Sequence, residues 1–228
     1  GTEVSALEHL LEGKKTIPVD KGIFLSSTWR MHPDICLFDS EMFYESRLHS
    51  EKGRENQRIE GNTQFIGSGL FYKSVAHEGN SNMSLEEINA IEKIVQELTK
   101  GDVFWYDEKN EKKVLVASDI KIITPYNSNV FEMQKRLPHI QIGTVDKFQG
   151  QEAPVVIYSI ASSSPEDAPR GMEFLYSPNR LNVAVSRAKA MFIMLGNPRI
   201  FEPDCKSPAQ IKLANPFCKF IDLAKYCI

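Results

Sequence analysis

Apolar runs of strand length punctuate this chain from beginning to end, and helical patterns lie between them. Residues 22–27 (GIFLSS), 69–75, 119–124 (DIKIIT), 140–145 (IQIGTV), 154–160 (PVVIYSI) and 191–195 (MFIML) each read as a strand. Turn chemistry closes several of them, as with Gly196-Asn197-Pro198 after the last run and Pro125-Tyr126-Asn127 after 119–124. Among the helices, Ser84 and Glu87 have capping-box spacing, and Ile88, Ile91, Ile94, Val95 and Leu98 form one apolar face behind them. Pro33 suits a first helical turn that carries Ile35, Phe38 and Phe43 on one side. Val130, Met133 and Leu137 mark another helix. Leu181, Val183, Ala184, Val185 and Ala188 give one of about three turns. Short pieces at 5–11 and 214–228 read as an amphipathic helix and a closing helix. Strands alternating with helices predict an α/β fold on a parallel sheet.

The polar stretch 49–63 reads as a surface excursion, and FWYDEKNEKK (104–113) as a loop or hairpin whose aromatics also fit base stacking. Together they predict one domain over 1–228 with an excursion around 45–118. Its 228 residues are enough for a sizeable core. The cysteines Cys36, Cys205, Cys218 and Cys227 form no CxxC pair and no zinc spacing, so the expectation is reduced thiols in an intracellular, cytoplasmic protein with no metal of its own. No apolar run approaches the length of a membrane-spanning helix, and the expected partners include no membrane. A net charge of −3 gives no global basic field, so any nucleic acid must be held by a local patch or by backbone and stacking contacts.

Polar groups with useful chemistry recur where the expected strands end. Trp29-Arg30 offers either a stacking face beside a phosphate clamp or a core tryptophan next to a surface arginine. In NRLNVAVSRAK (179–189), Arg187 suits either bidentate phosphate recognition or pairing with a helix end or nearby carboxylate. Thr124-Pro125-Tyr126 and the stretch from Thr144 to Glu152 complete the set. In a doubly wound sheet such ends gather along one edge, which predicts a single ligand site. Gly13-Lys14-Lys15-Thr16 is no phosphate loop, because the position that needs the first glycine of that motif is Glu8; it reads as a helix end and turn.

TWRMHPDIC followed by FYE, ITPYNSN, GTVDKFQGQE and NRLNVAVSRAK, in this order, resemble the second-half motifs of superfamily 1 helicases. The similarity is strongest to the branch holding the nonsense-mediated-decay helicase and the Okazaki-flap nuclease-helicase, and covers the chain from about Ser5 to Asn197. The resemblance implies a RecA-like motor domain of the P-loop NTPase type, its parallel sheet flanked by helices and lacking a phosphate loop of its own. It implies that Arg187 is an arginine finger and that Arg30 joins it at the γ-phosphate of ATP. It further implies that Trp29 stacks on adenine, Gly150 lends its amide to phosphate, and Glu152 meets the ribose. Thr124, Tyr126 and Thr144 would touch single-stranded nucleic acid, DNA being favoured over RNA. Asp146 and Gln149 would brace their loop, with Lys147 either on phosphate or paired with an acid.

The residues that hold Mg²⁺ and the phosphate-loop lysine in such enzymes are absent from this sequence. The expectation is therefore a fragment whose ATP and Mg²⁺ are held mainly by a first motor domain preceding it, and which alone is inactive as an ATPase. The alternative is a non-catalytic nucleic-acid- or partner-binding module derived from a helicase.

Overall fold

The computed structural model describes residues 10–11, 13–148 and 150–227. In chain order the elements are β1 (Ser27–Thr28), α1 (Pro33–Phe43), β2 (His49–Ser50), β3 (Arg58–Gly61), β4 (Gly69–Ser74), α2 (Leu85–Leu98), β5 (Val103–Tyr106) and β6 (Lys112–Val114). Then follow β7 (Ile120–Ile123), α3 (Asn127–Arg136), β8 (Gln141–Gly143), β9 (Ala153–Ser159), α4 (Gly171–Leu175), α5 (Pro178–Val185), β10 (Ala188–Gly196), α6 (Pro208–Leu223) and β11 (Lys225–Cys227).

Six strands form one parallel sheet in the order β11-β4-β10-β9-β7-β8. Val156, Tyr158, Phe192 and Met194 face one core, shared with Ile35 and Phe38 of α1, Leu181 of α5 and Phe220 of α6. Val155, Ile157, Met191 and Ile193 face the other, shared with Ile88, Ile91 and Leu98 of α2 and Met133 of α3. Two covered faces explain why β9 and β10 are apolar at successive positions instead of alternating. Each fully buried Phe or Ile contributes about 1.5–3 kcal/mol. This is the expected α/β architecture, a RecA-like parallel sheet flanked by helices.

The departures from expectation have physical causes. No strand forms over most of 22–27. Ile23 and Leu25 are 89% and 80% exposed, and only Ser27 and Thr28 pair, with His49 and Ser50. The run is apolar but lies outside the main sheet; of its apolar side chains only Phe24 finds partial cover among the described residues, against Tyr44 and Arg47. Within 45–118, β4 is an inner strand of the main sheet and α2 is core, so this span is not an excursion throughout. What it adds is an antiparallel sheet, β3-β5-β6, in which 104–113 is the hairpin. At the C-terminal end the helix begins at Pro208, earlier than expected, and β11 then adds an edge strand. α5 has 8 residues and stops at Val185, because Ala188 already belongs to β10. The helix expected over 5–11 lies outside the described residues except for Leu10 and Leu11. No helix among the described residues is long and apolar enough to cross a membrane.

Candidate functional site

Parallel pairing decides which side chains meet. Ala153 of β9 is in register with Ala188 of β10, so the residues just before them, Glu152 and Arg187, lie together at the amino end of the sheet. The amide of His32 donates to Lys189 O (2.8 Å), and Gln57 Nε2 donates to Arg30 O (2.8 Å), which fastens the Trp29–Met31 segment beside them. The result is a cleft of about 470 Å³ lined by Trp29, Arg30, Asp39, Tyr44, Glu152 and Arg187, among others.

Arg30 donates from Nε to Glu152 Oε2 (2.7 Å) and from Nη1 to Ser186 O (2.7 Å). Lys189 Nζ lies 2.7 Å from the other Glu152 oxygen. Burial pushes the Glu152 carboxyl up, but the hydrogen bonds from Lys189 and Arg30 outweigh it and hold it below the usual range. Arg187 is half-buried, and its Nε has no hydrogen-bond partner among the described residues. Burial and then the like charge of Arg30 lower its pKa. Asp39, on α1, is fully buried with neither oxygen partnered; burial raises its pKa well above the carboxylate range, and the charge of Arg30 offsets this only in part. Trp29 is 71% exposed and so is no core residue; the Arg54 guanidinium lies 5.5 Å from its ring centroid. Gly150 takes φ +79°, a left-handed turn that favours glycine, and is not among the residues lining the cleft.

The remaining candidates lie at the opposite, carboxyl end of the sheet. A groove of about 120 Å³ is lined there by Asn127, Thr144, Asp146, Arg170, Phe174 and Arg180, together with Pro125 and Val145. The Arg170 and Arg180 guanidiniums approach the Phe174 ring at 4.4 and 4.1 Å from its centroid. Thr144 reaches the groove, whereas the Thr124 side chain is 0% exposed and Tyr126 6%. Thr124 Oγ1 accepts from Asn129 Nδ2 (3.0 Å), and the Tyr126 hydroxyl is 3.1 Å from Ser162 Oγ. Lys147 pairs with no acid among the described residues, and its Nζ donates to Ile142 O (3.1 Å). Asp146 is exposed, and Gln149 lies outside the described residues.

The clusters expected on one edge therefore divide between the two ends of the sheet, because Arg187 and Glu152 precede their strands while Thr124 and Thr144 follow theirs. Three features escape a reading of strand ends. Asp39 sits four residues after buried Ile35 on the same helix face, which is the signal that could have found it. Glu87 meets its cap only halfway. Its amide donates to Ser84 Oγ (3.1 Å), but its carboxylate turns inward to Ala161 N (3.0 Å), the Ser159 hydroxyl and His77 Nε2 (3.0 Å). Phe174 with Arg170 and Arg180 carries no motif spacing that would single it out. Among the described residues no group of three or more His, Cys, Asp or Glu is placed to hold a metal ion.

A protein-family profile described as "AAA domain" matches residues 2–199. Helicase sen1 of Schizosaccharomyces pombe is 32% identical over 197 residues, covering 79% of this chain and 11% of that protein. ATP-dependent helicase upf1 of the same yeast is 31% identical over 193 residues (75% and 19%). Regulator of nonsense transcripts 1 homolog of Drosophila melanogaster is 31% identical over 195 residues (77% and 15%). These matches span no more than a fifth of each relative's length. A solved C-terminal domain of a possible DNA helicase from a Lactobacillus overlays 87% of the chain at a TM-score of 0.44 and 11% identity; the fold rests on the strand order, independently of this overlay. With the profile matching most of the chain and the motif residues gathered at the two ends of a RecA-like sheet, the chain belongs to the superfamily 1 helicases of the sen1 and nonsense-transcript-regulator type, as a second motor domain.

Proposed function

We propose that this domain closes on ATP bound mainly by a first motor domain and couples that closure to movement along a single strand of nucleic acid. The observation that carries the reading is the meeting of Arg30 and Arg187, from distant parts of the sequence, in one cleft whose walls also present an exposed Trp29. Burial and then the nearby charge of Arg30 lower the proton affinity of Arg187, and a triphosphate in the cleft supplies the anion that offsets both. Arg187 acts as the arginine finger, stabilising charge that develops on the transferred phosphoryl group. Arg30 leaves Glu152 to join it, which frees Glu152 for the ribose, and Trp29 stacks on the base. Gly150 sets the turn that carries its own amide and Glu152 toward the nucleotide. Mg²⁺, held by the first motor domain, would neutralise phosphate charge.

At the opposite end, Thr144, Arg170, Arg180 and Phe174 meet the strand, the arginines on phosphates and Phe174 against a base. Thr124 and Tyr126 support that surface from beneath and offer the strand main-chain atoms at most. Closure of the cleft then shifts the grip on the strand, a hinge motion driven by differential contacts.

The test is ATP hydrolysis by the full-length protein with single-stranded RNA or DNA, beside Arg187→Ala. Stimulation by one polymer names the track. Loss of a finger arginine lowers turnover on the order of 10³-fold. A variant that keeps most of its rate removes Arg187 from the finger role, and absence of hydrolysis in the folded wild type favours the non-catalytic binding module. The 228-residue chain alone is expected to show no ATPase activity.

A further inference from the structure

Among the described residues, only Asp39 and Arg187 have buried side-chain polar atoms without a hydrogen-bond partner. Buried polar groups are satisfied in the great majority of cases, so two orphans in one small region call for a common explanation. Both line the same cleft, and the charge of Arg30 acts on both. They are complementary, since one is a carboxyl with two free oxygens and the other a guanidinium N–H.

Most of the neighbouring polar groups are engaged elsewhere. Glu152 is taken by Arg30 and Lys189. Arg30 already donates through Nε and Nη1. The Tyr44 hydroxyl lies 3.2 Å from Asn182 Nδ2. The Cys36 thiol, on the same helix, is pushed up to about 12 by burial and then by Asp39 itself, so it stays neutral.

We propose that Asp39 is the positioning residue for Arg187: when a triphosphate enters the cleft, the Asp39 carboxylate and Arg187 Nε close into one buried ion pair, leaving the two Nη groups of the guanidinium aimed at the phosphate. An arginine held at Nε keeps its planar fork in a single orientation, which is what in-line phosphoryl transfer requires of a finger. Before pairing, burial raises the pKa of Asp39 and so favours its protonated form. On pairing its O–H bond breaks and the proton leaves to solvent, with no other bond made or broken. Nucleotide binding is therefore accompanied by release of a proton from Asp39. This inference rests on the proposed role of Arg187 at the phosphate.

The experiment measures binding of a non-hydrolysable ATP analogue to the full-length protein calorimetrically, in two buffers of different ionisation enthalpy, for wild type, Asp39→Asn, Asp39→Glu and Arg187→Ala. Asp39→Asn keeps the volume of the buried side chain and removes only its titration. The expected result is proton release in wild type that is lost in Asp39→Asn and in Arg187→Ala. Steady-state turnover of Asp39→Asn falls on the order of 10- to 100-fold with KM little changed, and Asp39→Glu recovers part of both signals. Wild-type proton release and wild-type kcat in Asp39→Asn overturn the pairing while leaving the role of Arg187 intact. Retained hydrolysis in Arg187→Ala overturns that role, and the pairing then stands only if both Asp39→Asn and Arg187→Ala still abolish the proton release.

Discussion

The two ends of the same parallel sheet are finished in opposite ways. At the carboxyl end, Glu87 accepts from Ala161 N and the Ser159 hydroxyl and meets His77, and Asn129 donates to Thr124 and Ser159. His77 in turn meets Ser163 (2.7 Å), so each member of this buried network has a partner. Ala161 takes φ +69°, a left-handed conformation unusual for a residue with a Cβ, and the Glu87 carboxylate clamps its amide there. At the amino end, Asp39 and Arg187 are left open, and the ion pairs that exist, Arg30–Glu152 and Lys189–Glu152, are partly exposed. A fully satisfied polar network holds one geometry, whereas an unsatisfied one is ready to exchange partners. The difference assigns rigidity to the end proposed to carry the strand and exchange to the end proposed to meet the nucleotide.

The most damaging way to break this contrast is to empty the satisfied network. Glu87→Ala strands His77 and the Ala161 amide in a buried site, and each buried polar group left without a partner costs about 1–3 kcal/mol. Urea unfolding of the domain measures it. A loss below about 1 kcal/mol would put Glu87 on a par with a surface ion pair and end the claim that this edge is braced.

What the sequence disclosed and what it withheld follow the same division. Covered strands announce themselves as apolar runs, so β7, β9 and β10 are legible, as is the α2 face of Ile88, Ile91, Ile94, Val95 and Leu98, all of them buried. Ile23 and Leu25 produce the same signal without a sheet to join, because an apolar run records a need for burial and not where the cover comes from. The motif residues Arg30, Glu152 and Arg187 are legible as a group and do converge, whereas Thr124 and Tyr126 go to the other end. Strand direction decides that, and a list of strand ends does not contain it. Glu87 hides behind its capping-box spacing, since two uses of one glutamate look alike in sequence. Asp39 is a polar residue on the buried side of its helix, as is Ser40 beside it, and its significance lies in having no partner, which only packing reveals.

The open end can be tested through its pH dependence. An aspartate in the unfolded chain ionises near pH 4, whereas folded Asp39 holds its proton to higher pH because burial raises its pKa. From about pH 4 upward the folded state binds more protons than the unfolded state, so stability declines with rising pH, by up to about 1.4 kcal/mol per pH unit, until the folded group ionises. Asp39→Asn removes that slope. Melting temperatures of the two proteins should separate progressively as the pH rises above about 4, with the variant the more stable, until the folded carboxyl ionises. Parallel curves would mean that Asp39 is already ionised and paired, which would erase the contrast between the two ends.

The smallest effect is also the sharpest discriminator. Glu152 has a folded pKa below the usual range, so its pairing with Lys189 and Arg30 contributes stability above about pH 4.3 that is lost as pH falls through the folded value. Its side chain is 41% exposed, and screening by water reduces such a pair to about 0–1 kcal/mol. Glu152→Gln should therefore hardly move the unfolding midpoint, and in about 0.5 M salt, where charges more than a few ångströms apart are screened, its effect should vanish. The Glu87→Ala deficit should survive the same salt, because its partners are buried and water does not replace them. A salt-resistant cost at Glu152 would make the amino end a second fixed scaffold, and Arg30 would then have no weak partner to leave when a phosphate arrives.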